Sequence, residues 1–350
     1  MTLPKRPLGT TGMQITTLGF GSWAVGGGGW AHGWGPQDDS DSIAAIRHAV
    51  DMGINWIDTA AIYGYGHSEE VVGQALKRIP ANQRPYVFTK AGMIPNLANP
   101  YEEPQRSLRP GSIRREVEAS LRRLGVERID LYQFHWPDET GTAVEDSWAE
   151  MVRLIQEGKV RAGGVSNFDV GLLERAEAVR HVDSLQPPFS LINRAAGNDV
   201  IPWAAEHDTG IIVYSPMQSG LLTDSFTPER VSRMAEDDWR RHSGHFIEPG
   251  LSRNPGAEGL PAAGRQPARR QRRIDSPSLG AELADHRRNR RRSLGPAGRW
   301  LDRGGHGGPY QLRPGRDRRR HPPQCGWDRA CPPELAASVR PLIYRKRGDS

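Results

Sequence analysis

Short apolar runs alternate with amphipathic segments along the first 254 residues, and this alternation constrains the fold more than any other feature. Apolar residues at every second position indicate strands, whereas apolar residues three and four positions apart indicate helices. A regular succession of the two predicts a parallel sheet covered by helices. The seven segments with strand character are residues 15–21, 54–58, 86–90, 129–135, 160–168, 182–186 and 210–216.

Two of the helical segments have recognisable ends in the sequence. One is predicted to run from Asp41 to Gly53, with apolar residues on a single face. The other is predicted to begin at Ser112, a residue type favoured at helix N-termini, and to end at Gly125. Glycine commonly stops a helix because it adopts the left-handed conformation without strain.

Two parallel-sheet architectures are compatible with this alternation of strands and helices. An open doubly wound sheet normally carries GxGxxG between a strand and a helix. The glycine-rich stretch at residues 19–29 has these letters without that context, which favours a flexible loop. A (β/α)8 TIM barrel needs eight strands and typically about 250 residues. We therefore predict such a barrel, incomplete because its eighth strand and C-terminal helices are not recognisable.

Polar side chains occur at six successive strand ends, where the active site of a barrel forms. These residues are Asp58, Tyr63, Lys90, His135, Ser166, Asn167, Gln186 and Tyr214. Each has a structural explanation when taken alone, such as helix capping by Asp58 or a packed imidazole at His135. Their repetition around the predicted barrel instead indicates a continuous lined pocket.

Four of these residues suggest a specific chemistry. A free tyrosine titrates near pH ~10, so Tyr63 is a poor acid at neutral pH. An adjacent Lys90 ammonium would lower that pKa, and Asp58 would keep the lysine charged and oriented. His135 could hydrogen-bond a substrate oxygen or relay its proton. The four together predict protonation of a carbonyl oxygen while hydride is delivered to the carbon.

Several segments in a fixed order resemble the aldo-keto reductase superfamily. They are NWIDTAAIYGYGHSEEVVG, VFTKAG, IDLYQFHWPD, GKVRAGGVSNF and YSPMQSGLL. The opening, RPLGTTGMQITTLGFGSW, resembles the N-terminal β-hairpin and first strand of that family. The resemblance spans roughly residues 5–254 and is nearest to bacterial members and to the group that includes potassium-channel β subunits. It implies reduction of an aldehyde or ketone, a small-molecule carbonyl substrate, with NADPH.

The resemblance also implies residue roles. Tyr63 would be the general acid, tuned by Lys90 and Asp58, and His135 would orient the carbonyl. The residues implied to hold the NADP(H) cofactor are Ser166, Asn167 and Gln186 at the carboxamide, Tyr214 stacked on the nicotinamide, and Ser215, Pro216, Met217, Gly220 and Leu221 around the pyrophosphate. Trp23 and Trp136 match positions that wall the substrate pocket. Trp30, His32 and Trp34 are expected in a loop over the mouth.

Other interpretations are less favoured. The chain could be a non-catalytic nucleotide-binding regulatory subunit, although the intact set of Asp58, Tyr63, Lys90 and His135 favours an enzyme. It could also be an inactive truncated reductase. His242 and His245 have no acid or cysteine to complete a ligand set, so no metal site is predicted.

The composition changes abruptly after Asn254. Residues 255–350 carry 21 Arg, one Lys and nine acids, a charge of +13, so the first 254 residues carry −7 within the total of +6. Nothing in this Arg-, Pro- and Gly-rich tail resembles an eighth strand or the adenosine-binding segment of the family. We therefore divide the chain into a truncated reductase barrel, residues 1–254, and an atypical tail, residues 255–350.

Three origins of the tail can be weighed. A nucleic-acid-binding arm is disfavoured, since the tail has few lysines and no ordered aromatic platform. A disordered linker is the second possibility. We favour translation out of frame, because the codons for Pro255 to Glu258, read one base later, permit Leu-Ala-Leu-Arg, a suitable helix opening. The prediction is a tail that is disordered and of frameshift origin.

The location expected from the sequence is cytoplasmic. The N-terminus lacks the apolar core of a signal peptide, and no stretch is apolar enough to cross a bilayer, so no membrane partner is expected. Both cysteines, Cys325 and Cys331, belong to the tail, so the barrel needs no disulfide. The sequence leaves the oligomeric state open.

Overall fold

The structure, a computed structural model, describes residues 3–223 and 227–253. All of them belong to the first of the two units into which the chain divides, Met1–Gly295. The predicted tail, residues 255–350, lies outside the described residues. No helix among the described residues is long and apolar enough to span a membrane.

Strands and helices alternate along the described part of the chain. Its strands are β1 (Lys5–Pro7), β2 (Gln14–Thr16), β3 (Phe20–Gly21), β4 (Trp56–Asp58), β5 (Tyr86–Ala91), β6 (Met93–Ile94), β7 (Gln105–Arg106), β8 (Ile129–Phe134), β9 (Val160–Ser166), β10 (Ser184–Gln186) and β11 (Gly210–Ile211). Its helices are α1 (Asp39–Asp51), α2 (His67–Lys77), α3 (Pro110–Leu124), α4 (Val144–Gln156), α5 (Val170–Val179), α6 (Val200–Glu206), α7 (Pro228–Ser232) and α8 (Gly250–Arg253).

Seven of the strands form one parallel sheet in the order β3-β4-β5-β8-β9-β10-β11. A helix follows each of its first six strands, from α1 after β3 to α6 after β10, and the short antiparallel pair β6-β7 is an excursion between β5 and α3. All seven predicted strand segments contribute to this sheet. The prediction of an incomplete (β/α)8 barrel with an N-terminal hairpin, β1-β2, is therefore confirmed.

Every second side chain of a strand points into the barrel, so the inward side chains lie at successive levels. We call the level beside the hairpin the floor and the level at the open end the mouth. The floor is an apolar cluster of Trp56, Phe88, Leu131, Ala162 and Ile212, packed against Leu8, Met13 and Ile15 of the hairpin. Two positions further along the same strands come Asp58, Lys90, Gln133, Gly164 and Tyr214. Side chains two positions apart point to the same face, so the residues after the floor are directed at the open end.

Helix boundaries differ slightly from the prediction. α1 begins at Asp39, with Asp38 as its cap, whose carboxylate accepts a hydrogen bond from the Asp41 N–H at 3.0 Å. α3 begins at Pro110 rather than at Ser112, because proline suits the first position of a helix. Its end at Gly125, which has a φ of 65°, was predicted correctly.

The two edges of the sheet, β3 and β11, border a single cavity of about 820 Å³. No strand of the described residues pairs with the outer edge of either. The hairpin reaches both sides of the floor, since Thr16 N donates to Asn55 Oδ1 at 2.7 Å and Gly9 lies so close to Gly210 that a Cβ there would be 2.6 Å from its nitrogen. The sheet is thus curled, with an opening between its first and last strands.

Candidate active site

A buried ion pair lies at the ends of the neighbouring strands β4 and β5. Lys90, which is 1% exposed, donates from Nζ to Asp58 Oδ2 at 2.6 Å and to the Thr59 carbonyl at 2.9 Å. Gln186 Nε2 donates to the other carboxylate oxygen of Asp58 at 3.1 Å. Burial lowers the pKa of Lys90, and the charge of Asp58 opposes that shift. The lysine therefore depends on Asp58 to stay charged.

Tyr63 lies in the turn after β4, above this pair. The Nζ atom of Lys90 is 5.3 Å from the centroid of the Tyr63 ring. The turn is fixed by a close backbone contact, since a Cβ on Gly64, which has a φ of 59°, would lie 2.2 Å from the Gly26 carbonyl oxygen. Only glycine fits at position 64, so this contact fixes the backbone of the turn that carries Tyr63.

The predicted acidification of Tyr63 is wrong for this structure. Burial raises the pKa of Tyr63 well above its ordinary value, and the negative charge of Asp58 raises it further. Lys90 directs its short hydrogen bonds to Asp58 and Thr59 and not to the Tyr63 hydroxyl, so it does not remove the proton from the phenol in advance. Tyr63 consequently keeps its proton at neutral pH.

His135 completes the group. Its ring packs edge-on against the Tyr63 ring, with centroids 5.7 Å apart, and its backbone N–H donates to the Ala91 carbonyl at 2.9 Å. Burial lowers the pKa of His135 well below its usual range, and the charge of Lys90 lowers it further. The imidazole is neutral, so it can donate a hydrogen bond without adding a charge. Asp58, Tyr63, Lys90 and His135 are thus brought together.

The residues predicted to hold the nicotinamide form a connected hydrogen-bond cluster at the ends of β9, β10 and β11. Asn167 Nδ2 donates to the His135 carbonyl at 2.9 Å, and Tyr214 Oη donates to Asn167 Oδ1 at 2.9 Å. Ser166 Oγ donates to the Gln186 carbonyl at 2.8 Å. The cluster therefore runs from the Asp58–Lys90 pair to the ring of Tyr214.

The loop after β11 divides into two parts. Ser215, Pro216, Met217 and Gly220 border the cavity, as does Ser219, which the sequence reasoning missed. Leu221 does not: its side chain is buried in a small apolar cluster with Val231, Phe246 and Leu251, and its place in the pyrophosphate loop stays a prediction. An apolar side chain in a polar loop more often supports the loop from beneath than faces a charged ligand.

The aromatic residues near the mouth are packed in a column. The Trp23 ring stacks on Tyr63 at 6.2 Å and on Trp239 at 5.4 Å, which the sequence had not suggested. Trp23 and Trp34 border the cavity. Trp136 does not border it but lies under the Arg106 guanidinium, 4.2 Å from its ring centroid. Trp23 is thus at the cavity wall, and the assignment of Trp136 to the substrate pocket stays a prediction.

The glycine-rich loop over the mouth is tied to other segments. Gly29 N donates to Asp237 Oδ2 at 2.9 Å, and Trp239 N donates to the Gly33 carbonyl at 3.0 Å. His32 Nε2 lies 3.0 Å from Glu103 Oε2, and Trp30 Nε1 donates to the Gly27 carbonyl at 3.1 Å. The segment before Asn254, which carries Asp237 and Trp239, therefore helps to shape the entrance.

Gln133 is a further polar residue that the sequence reasoning missed. It is buried on β8, its Nε2 lies 3.4 Å from Asp58 Oδ1, and its Oε1 has no hydrogen-bond partner among the described residues. The signal was available, because Gln133 stands two positions before His135 and opposite Lys90 in the register of the sheet. His242 and His245 do not belong to any group of metal-ligating side chains within the described residues.

The residues around the cavity fit a nicotinamide dinucleotide. Gln186 and Tyr214 border the cavity, and Gln186 belongs to a hydrogen-bonded cluster with Ser166 and Asn167 whose carboxamide and hydroxyl groups suit a nicotinamide carboxamide. Left-handed conformations at Ser215, Ser219 and Gly220 suit a loop whose amide groups converge on an anion. The cavity volume is typical of ligand sites, which measure roughly 300–1,000 Å³.

Comparisons with known proteins agree with this geometry. The sequence model of the Aldo/keto reductase family matches residues 17–269, so the match ends beyond Asn254. The chain is similar to the aldo-keto reductase YhdN of Bacillus subtilis, with 37% identity over 239 residues, 68% of this chain and 69% of that protein. It is also similar to an NADH-specific methylglyoxal reductase of Escherichia coli, with 38% identity over 237 residues, 65% of this chain and 72% of that protein.

A solved structure gives the corresponding comparison of folds. A glycerol dehydrogenase from Gluconobacter oxydans superposes with a TM-score of 0.63 and 38% sequence identity. The similarity covers 72% of this chain and 75% of the dehydrogenase.

Proposed function

This chain belongs to the aldo/keto reductase family, and on that premise we propose that it reduces a small aldehyde or ketone with hydride from NADPH. The family acts on small carbonyl substrates with a nicotinamide cofactor. The observation that carries the proposal for this chain is the proximity of Tyr63 and His135 to the buried Asp58–Lys90 pair.

Tyr63 is proposed to be the proton donor. The cofactor supplies hydride to the carbonyl carbon when bound, and the carbonyl oxygen then gains negative charge. An alkoxide is more basic than a phenolate, so Tyr63 Oη can protonate it although burial raises the phenol's pKa. The raised pKa guarantees that the proton is present before the reaction begins.

Lys90 and His135 are proposed to stabilise the developing charge. The Lys90 ammonium, held by Asp58, offers a fixed positive charge close to the Tyr63 ring, where a phenolate would form. Neutral His135 can donate a hydrogen bond to the carbonyl oxygen and so fix its orientation. Both groups are in place without rearrangement, which favours electrostatic catalysis.

Ser166, Asn167, Gln186 and Tyr214 are proposed to hold the nicotinamide, and the loop at 215–220 to hold the pyrophosphate. Arg230 and Arg240 border the same cavity, and guanidinium groups suit phosphate, although Arg240 also forms a salt bridge with Asp238 at 2.6 Å. NADPH is proposed on the family resemblance, and the NADH-specific relative makes the choice of cofactor a necessary part of the test.

The test is an assay of cofactor oxidation with a panel of small aldehydes and ketones. NADPH and NADH are compared at equal concentration, with the unsubstituted chain and the Tyr63→Phe variant. The proposal predicts carbonyl-dependent oxidation that the variant lacks. Oxidation of neither cofactor with any carbonyl, by a chain that binds the cofactor, would instead favour the regulatory-subunit interpretation.

A further inference from the structure

The end of β5 is a segment whose position the proposed reaction depends on. Lys90 belongs to it, and the next residue, Ala91, accepts the backbone hydrogen bond of His135 at 2.9 Å. Gly92 then turns the chain with a φ of 93°, and a Cβ there would lie 2.4 Å from the Leu108 side chain. A shift of this turn would therefore move Lys90 and His135 together.

Two carboxylates hold this strand end from the helix side. Glu69 on α2 accepts from the Thr89 hydroxyl at 2.6 Å, and Glu116 on α3 accepts from the Gly92 N–H at 2.9 Å through Oε2. The second oxygen of Glu116 accepts from the Ser112 hydroxyl at 3.1 Å. The residues on both sides of Lys90 and Ala91 are thus fixed by acidic side chains.

The two carboxylates differ in whether a positively charged side chain pairs with them. Glu69 is fully buried and also pairs with Arg123, whose Nε donates to it at 2.7 Å. Glu116 makes no salt bridge within the described residues. Burial raises the pKa of Glu116 to about 7, although the Gly92 and Ser112 hydrogen bonds lower it.

The groups around Glu116 do not cancel the effect of burial on its pKa. Arg115 on the same helix lowers the pKa only in part, and the charge of Glu69 on α2 raises it. Tyr132 on β8 has a buried hydroxyl without a partner in the part of the chain that the structure describes, and burial raises its pKa, as do the charges of Glu116 and Glu69. Arg123 on α3 forms its salt bridge with Glu69.

We propose that Glu116 is a positioning residue for the carbonyl reduction, holding Lys90 and His135 in place through the Gly92 amide. The inference rests on the proposed function, in which those two residues act. A carboxylate is a stronger hydrogen-bond acceptor than a neutral acid, so Glu116 holds the turn best when ionised. The turnover rate then rises as the pH increases through about 7.

The test uses the full 350-residue chain and two substitutions at one site. Glu116→Ala removes the acceptor, whereas Glu116→Gln keeps an acceptor oxygen and removes the titration. Glu118→Ala is the matched control, because Glu118 lies on the same helix but its carboxylate contacts Lys159 instead of Gly92. The readouts are kcat and KM across a range of pH, and amide hydrogen exchange at the segment that contains Gly92.

The inference predicts that Glu116→Ala lowers kcat about tenfold, the effect of losing one hydrogen bond to a charged acceptor, with KM for the cofactor unchanged. Exchange at Gly92 should accelerate by a similar factor. Glu116→Gln should abolish the rise in kcat near pH 7, which we expect to be about fivefold. Glu118→Ala should match the unsubstituted chain in both readouts.

Two results would overturn the inference. One is a Glu116→Ala protein with unchanged kcat and unchanged exchange at Gly92, and the other is a Glu116→Gln protein that keeps the step near pH 7. If the unsubstituted chain reduces no carbonyl, the proposed function fails by itself. The exchange measurement then still decides whether Glu116 holds the Gly92 turn.

Discussion

The Nζ atom of Lys90 lies 5.3 Å from the centroid of the Tyr63 ring, yet its short hydrogen bonds go to Asp58 and Thr59. The cation is therefore close enough to stabilise negative charge on the phenol but does not remove the proton in advance. Burial of Tyr63 has the opposite effect and raises its pKa. The arrangement keeps a protonated phenol beside a preorganised positive charge.

Breaking the Asp58–Lys90 pair should destabilise the fold. Lys90→Met leaves Asp58 with only amide donors, and removal of one partner of a buried pair costs about 3–5 kcal/mol. The double variant Asp58→Asn/Lys90→Met should lose less than the sum of the two single variants. Urea denaturation measures these free energies of unfolding. Additive losses would show that the two charges do not stabilise each other.

The Gly26–Gly64 contact should be sensitive to a single methyl group. Gly26→Ala places a Cβ 2.7 Å from Gly64 N and from the Tyr63 carbonyl carbon, so the turn that carries Tyr63 must move. We expect a loss of stability of about 1–3 kcal/mol, typical of overpacking, and a lower kcat. Gly244→Ala is the control, because a Cβ there meets no atom within 4 Å. Equal melting temperatures and equal kcat for the two variants would argue against a fixed Tyr63 turn.

Glu116 should make the folded state less stable as the pH rises. Its folded pKa is raised to about 7, so between about 4.5 and 7 the folded state binds a proton that the unfolded state has lost. The stabilisation is complete below about pH 4.5 and is lost as the pH rises through 7, at most about 3 kcal/mol. Urea denaturation at pH 5 and pH 8 should show a smaller difference for Glu116→Gln than for the unsubstituted chain. An identical pH dependence in the two proteins would contradict this account of Glu116.

Much of the fold and the site was accessible from the sequence because both follow from the period of strands. Strand ends in a parallel barrel share one face, so the sequence alone groups Asp58, Lys90 and His135. The same period would have identified Gln133. The strand period could not give the direction of the Tyr63 pKa shift. That direction depends on burial and on which groups accept the hydrogen bonds of Lys90.

Contacts between distant loops were the other part that the sequence did not reveal. Trp239 stacks on Trp23, and Asp237 binds the Gly29 amide, across more than 200 residues of chain. Leu221 belongs to a small apolar cluster whose other buried members come from residues 231–251. No local pattern encodes such pairs, since each depends on how the segment after β11 returns to the mouth.

Restoring the proposed reading frame after Asn254 should stabilise the protein and tighten NADPH binding. An added strand could pair with the edges of β3 and β11, whose backbone groups otherwise require other partners. A chain that stops at Asn254 is the control, because it separates the gain of the restored segment from the loss of residues 255–350. Urea midpoints and NADPH titrations compare the three chains. Equal midpoints and equal Kd for the restored and the 350-residue chains would contradict the frameshift account.

The most direct test of the central claim is the turnover of Tyr63→Phe relative to the unsubstituted chain, at saturating carbonyl substrate and NADPH. The substitution removes one hydroxyl and keeps the ring that stacks on Trp23. If Tyr63 donates the proton, kcat falls by about 10²–10⁴-fold while the Kd for NADPH stays the same. A kcat within a factor of about two of the unsubstituted chain would show that the proton comes from another group.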